Sequence, residues 1–91
     1  SMAVSGTIIV ATAGTRIQAA HKGNVKSLVF KALQANTGDV SIGGSDVSAS
    51  DGFTLAPGES VGLHFHFAIS TAQIWADSLN NDDIIDFIGL E

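Results

Sequence analysis

The fold turns on the run from Asn36 to Val61, NTGDVSIGGSDVSASDGFTLAPGESV, which is written almost wholly in turn chemistry and short strand signals. Asn36, Asp39, Asp46 and Asp51 supply side chains that close turns on their own backbone, and the interspersed glycines supply the sharp reversals. Between them Val40 to Ile42, Asp46 to Ala49 and Phe53 to Leu55 are too short for helices and read as strands. Pro57-Gly58 matches a type II turn, with Pro at the second position and Gly at the third, and it launches a strand near Val61. The centre of the chain is therefore a tightly reversing β-segment.

Working outward, Val25 to Ala35 (VKSLVFKALQA) admits two periods. A helix capped by Asn24 puts Leu28, Ala32 and Ala35 near one face, whereas the β-branched Val25 and Val29 around Phe30 favour a strand. As a strand, Leu28, Phe30 and Ala32 point to the core, and Val25, Ser27, Val29, Lys31 and Leu33 point the other way. Val29 and Leu33 are then left in the open, where a second subunit is expected to lie. On the other side, Val61 to Ile69 alternates Val61, Leu63, Phe65, Phe67 and Ile69 against Gly62, His64, His66 and Ala68, the pattern of a half-buried strand.

Upstream, Thr7 to Ala13 (TIIVATA) reads as a first strand and Thr15 to Ala19 as its continuation or hairpin partner. A loop over Ala19 to Asn24 follows. Downstream, Gln73 to Ala76 is a short strand, Asp77 to Asp83 a polar connection, and Ile84 to Gly89 a closing strand with Ile84, Asp86 and Ile88 opposite Ile85 and Phe87. These elements predict an all-β domain over residues 3–91, a small β-sandwich or jelly-roll-like barrel of seven to eight short antiparallel strands. Ser1-Met2 is set aside as a cloning remnant.

With 91 residues the chain holds one modest core. There is no cysteine, which excludes disulfides, thiolate metal sites and a catalytic thiol. Four Lys and Arg face nine Asp and Glu, a net charge of -5, so no nucleic-acid partner is expected. No apolar run approaches the roughly 20 residues a membrane helix needs, and no membrane partner is expected either. A charged fraction of 14% against 45% hydrophobic residues suggests surface covered by other subunits.

Three patterns in the sequence bear on chemistry. His64 and His66, two apart on one strand, have a spacing that chelates transition metals. The run Gly58-x5-His64-x-His66 resembles the first half of the cupin motif, and cupins are jelly rolls. The resemblance stops there: Ser70-Thr71 stand where a glutamate ligand belongs, and no histidine follows His66, leaving His21 as a distant third. A surface or interface role for both histidines is the expectation, with no metal and no cofactor. Asp77, Asn80, Asn81, Asp82, Asp83 and Asp86 lack the spacing of a calcium loop and read as a solvated turn. No serine sits in a nucleophile-elbow pattern, and no Gly-rich loop leads into a helix, so no catalytic residue is predicted and the chain is read as non-enzymatic. Trp75 would serve a carbohydrate-binding module if exposed, and is expected in the core or an interface.

The run VKSLVFKALQANTGDVSIGGSDVSASDGFTLAPGESVGL resembles small virion proteins of tailed bacteriophages. The shared pattern is an apolar strand flanked by lysines, an Asn-x-Gly turn, a short strand ending Ile-Gly-Gly-Ser-Asp-Val, and Leu-x-Pro-Gly-Glu-Ser before the next strand. A strand around Ile74-Trp75-Ala76 and a closing strand ending Gly89-Leu90-Glu91 complete it. That resemblance implies a capsid decoration (cement) or head-fibre-like protein on the outer capsid surface, with itself, as a homotrimer, and the major capsid protein as partners. Val29, Leu33, His64 and His66 are the interface residues expected on this reading.

Overall fold

The computed structural model describes residues 2–91, and Ser1, half of the presumed remnant, lies outside the described residues. Eight strands follow in order: β1 (Ala3–Val10), β2 (Ile17–Gln18), β3 (Asn24–Ala32), β4 (Val40–Gly43), β5 (Phe53–Leu55), β6 (Ser60–Ser70), β7 (Trp75–Ser78) and β8 (Asp83–Leu90). Helical structure among the described residues is confined to one 3-10 turn at Thr71–Gln73. The strands form two four-stranded sheets in the orders β1-β8-β3-β6 and β2-β7-β4-β5, and all pairs are antiparallel. Two interleaved four-stranded sheets in these orders are the double Greek key of a jelly roll, as the turn spacing predicted.

The inner faces meet in one core. Phe30 and Phe87 face each other across the β3-β8 ladder with ring centroids 6.0 Å apart and planes tilted by 49°. Ile8, Val10, Leu28, Val40, Ile42 and Ile85 close around them. The Phe87 ring also lies over Gly6, its partner in β1, where an added Cβ would run into the ring. A glycine in the middle of this strand is thus a packing requirement.

The Pro57-Gly58 turn forms as read: Glu59 N–H donates to the Ala56 carbonyl at 2.9 Å, and Gly58 takes φ +84°. Asp46 to Ala49 is not a strand. Ser48 and Asp51 exchange backbone bonds of 2.9 and 3.2 Å, closing a small loop. That loop folds Val47 back against Gly43 and Gly52, and Val47 is buried there. Local turn chemistry outweighs the β-propensity of a single valine.

Boundaries shift where pairing overrides local pattern. β1 begins at Ala3, before the expected Thr7, because β8 offers backbone partners from Asp83 out to Leu90. It stops at Val10, after which the chain turns with Thr15 N–H on the Thr12 carbonyl and Gly14 at φ +85°. Ile17-Gln18 then joins β7 in the other sheet, so the Thr15 to Ala19 segment neither continues β1 nor pairs with it. Asp77 and Ser78 end β7 and Asp83 starts β8, which shortens the polar connection to residues 79–82.

The ladder between β3 and β6 contains the largest departure. Pairing runs from Lys31↔Ser60 to Ser27↔His64 and resumes only at Val25↔Ile69. β3 therefore bulges at Lys26, and Phe65 to Ala68 bulge out of β6. One consequence is that Val25, expected outside, is buried with Leu28, Phe30 and Ala32. The other is that Phe67, expected on the inner face of β6, is 73% exposed.

Candidate functional site

The outer face of the β1-β8-β3-β6 sheet is built by alternation. Every second residue of β3 and β8 enters the core, so Ser27, Val29 and Lys31, and Asp86, Ile88 and Leu90, are turned outward. Register then sets the rows. Ser5, Ile88, Val29 and Gly62 lie abreast, with Ala3, Leu90, Ser27 and His64 on one side and Thr7, Asp86, Lys31 and Ser60 on the other. Ile9 pairs with Ile84 one row further, where Leu33 donates its N–H to the Ile84 carbonyl. Val29, Ile88 and Leu90 are 46%, 49% and 52% exposed, a contiguous apolar strip down the two central strands. A shallow groove of about 280 Å³ runs through it between Val29, Lys31, Asp86, Phe87 and Ile88. A wider and more polar groove follows the β1 edge past Ser5, Thr7, Lys22 and Asp86.

Of the residues singled out from sequence, Val29 and His64 share this face, and Leu33 lies half-buried at its end. His66 falls in the β6 bulge and is exposed, as is His64. A metal enclosed by the sandwich would need ligands on the inner face, and that space is filled by Leu28, Phe30 and Phe87. His21 is occupied elsewhere: its Nδ1 and the Ser70 hydroxyl are 2.6 Å apart. Ser70 and Thr71, at the place of the missing cupin glutamate, hold the chain between β2 and β3. Lys22 N–H donates to Thr71 Oγ1 at 2.8 Å, and that hydroxyl donates to the Ala20 carbonyl at 2.7 Å. Among the described residues no group of three or more His, Cys, Asp or Glu is arranged to hold a metal ion.

The acidic residues also have separate duties. Asp77 Oδ1 accepts from the Gly14 and Ser78 N–H groups at 2.9 and 2.8 Å. Asp83 accepts from the Thr37 and Gly38 N–H groups at 2.8 and 3.1 Å. Asn81 Oδ1 takes the Ala13 N–H, and Asp86 takes the Thr7 hydroxyl. Asp77 and Asp83 are buried, so the expectation of a solvated turn fails for both: they pin neighbouring loops to the strand ends. Trp75 is half-buried in β7. The exposed aromatics are Phe53 and Phe67.

Sequence reasoning did not single out Ile88 and Leu90. Their signal is the closing strand itself, where isoleucines occupy both alternating sets, a pattern that leaves apolar residues outside whichever face is buried.

No family model matches the chain, and no curated protein matches it in sequence. Among solved structures, a de novo designed double-stranded β-helix, determined by solution NMR, is similar over 100% of both chains with a TM-score of 0.53 at 17% identity. That likeness is one of fold and supports the jelly-roll assignment. The structure of KdgF from a Halomonas species covers 99% of this chain and 69% of its own with 20% identity, and its TM-score of 0.45 is too low to carry the comparison further.

Proposed function

We propose that the protein is a non-enzymatic structural component of a bacteriophage particle, a capsid decoration protein that self-associates and sits on the outer capsid surface. The observation that carries this reading is the flat apolar strip of Val29, Ile88 and Leu90 on a sheet face that the single chain leaves uncovered. A side-chain surface of this kind is suited to docking on another protein. The phage-like turn grammar around Asn36 to Ser60 supplies the kind of assembly. Repeated attachment to a lattice gives such a protein its stability through many modest contacts, with no deep pocket required.

The test is to purify particles released from the source culture, separate them by density, and quantify this chain against the major capsid protein by mass spectrometry. A fixed, high copy number in the particle band supports the reading, and absence from every particle band removes it. Two checks separate the alternatives of other classes. Stoichiometric metal surviving gentle purification would point to a cupin-like centre at His64 and His66, and specific signals on a glycan array would point to a carbohydrate-binding module using Phe53 or Phe67.

A further inference from the structure

The outer face of the β1-β8-β3-β6 sheet carries a charge pattern as well as an apolar strip. In the paired rows from Ser27 to Lys31, only Lys31 and Asp86 bear formal charge, and they are direct cross-strand neighbours in the row below Val29 and Ile88; the exposed Lys26 lies beyond these rows in the β3 bulge, and Lys22 lies beside the β1 edge. Asp86 turns its carboxylate the other way, toward β1, where Oδ1 accepts the Thr7 hydroxyl at 2.8 Å. In the middle rows both flanks are low, with Ser5 and Thr7 on β1 and Ser60 and Gly62 on β6; the bulkier Ile9 and His64 stand toward opposite ends, His64 in the same row as the small Ala3.

We propose that two copies of this chain meet on this face, sheet against sheet, about a two-fold axis running along the strands between β8 and β3. The proposal deepens the self-association in the function proposed above and rests on it. Such an axis exchanges β8 with β3 and leaves each row at its own height. Ile88 of one copy then covers Val29 of the other and Val29 covers Ile88, while each Lys31 meets the Asp86 of the second copy. An axis across the strands through the Val29-Ile88 row would instead lay Asp86 on Leu90 and Lys31 on Ser27, desolvating four charges with no opposite charge from the second copy. The pattern is thus complementary to itself in one orientation. The small residues on β1 and β6 let the two sheets approach to the roughly 10 Å spacing of stacked sheets.

The area is sufficient. Four strands about 4.8 Å apart and eight residues long present a face of roughly 19 by 26 Å, close to 500 Å² per copy and about 1,000 Å² in all. That total stands at the lower bound for a specific contact, which fits a weak, concentration-dependent dimer. A self-complementary patch closes at two copies. The trimer suggested by the phage resemblance would need two different patches.

Charge swapping with sedimentation velocity tests the geometry. Lys31→Asp alone, or Asp86→Lys alone, sets like charges against each other twice across the axis and should weaken the dimer about tenfold or more. A 1:1 mixture of the two variants, or the double variant K31D/D86K, restores opposite pairs and should recover dimerisation. Both positions are exposed, and circular-dichroism melts of each variant verify the fold. Wild-type protein that stays monomeric to hundreds of micromolar, single variants that dimerise as well as wild type, or a mixture that fails to recover would each overturn the proposal. A dimer with the expected swap behaviour in a protein absent from phage particles would leave this contact standing and remove only the virion reading.

Discussion

Asp83 is the residue through which the central loop is tied to the sandwich. Its carboxylate receives the Thr37 and Gly38 N–H groups, while the Asn36 side chain donates from Nδ2 to the Ile84 carbonyl and accepts the Ile84 N–H on Oδ1, both at 2.9 Å. Asn36 therefore completes the edge of β8 as a strand backbone would, and Asp83 satisfies the turn that follows. Replacing Asp83 by Ala leaves two donors without acceptors in a part-buried turn. Its cost in urea denaturation should be about 3 kcal/mol, which corresponds to a fall in melting temperature of roughly 12–24 °C for a domain of this size. Asp83→Asn, which keeps one acceptor oxygen, should lose less. A loss below about 0.5 kcal/mol for the alanine variant would mean that the turn is held by something else. Because these acids are engaged with backbone donors, millimolar calcium should leave the melting temperature unchanged to within about 1 °C, and an upward shift that grows with calcium would reveal a site.

The bulged β3-β6 ladder is the element that separates what the sequence states from what only the folded chain decides. The Ala56-Pro57-Gly58-Glu59 turn was readable because four adjacent residues determine it, and the alternation of Leu28, Phe30 and Ala32 because a regular strand determines it. Val25 and Phe67 were misplaced because a bulge depends on which residues of a distant strand end up opposite, information that no local window contains. The same limit applies to the candidate site. Val29 was legible as outward, whereas the strip it forms with Ile88 and Leu90 requires knowing that β8 inserts between β1 and β3. The bulge makes a paired prediction. Val25→Ala should cost about 2 kcal/mol, since it opens a cavity at a fully buried position. Phe67→Ala, though it removes the larger side chain, should change stability by less than about 0.5 kcal/mol. Equilibrium unfolding of the two variants checks this, and the reverse order would restore an unbroken strand with Phe67 inside.

At the scale of the whole molecule, extents of 35 × 24 × 18 Å describe a slab only two sheets thick. A slab has two broad outer faces for one inner layer, so a chain this rich in apolar residues cannot enclose them all, and most of the surplus appears on the sheet with the longer strands. That sheet is closed by its most distant parts: β1 and β8 pair from Ala3↔Leu90 to Val10↔Asp83. By contrast, β4 and β5 pair within a single reversal from Val40 to Leu55. Loop closure makes the first contact costly and the second cheap, so refolding should be slow for a chain of this length, with a time constant between milliseconds and seconds. Loop closure also orders the events. β1 contributes the buried Ile8 and Val10 to a core that β3, β8 and the second sheet can already outline without it. Ile8→Ala should therefore destabilise the protein by about 3 kcal/mol and express that loss mainly as faster unfolding, with a φ-value below about 0.3. Stopped-flow chevrons of this variant measure it directly. A φ-value near 1 would place the terminal strands in the folding nucleus and reverse the order argued here.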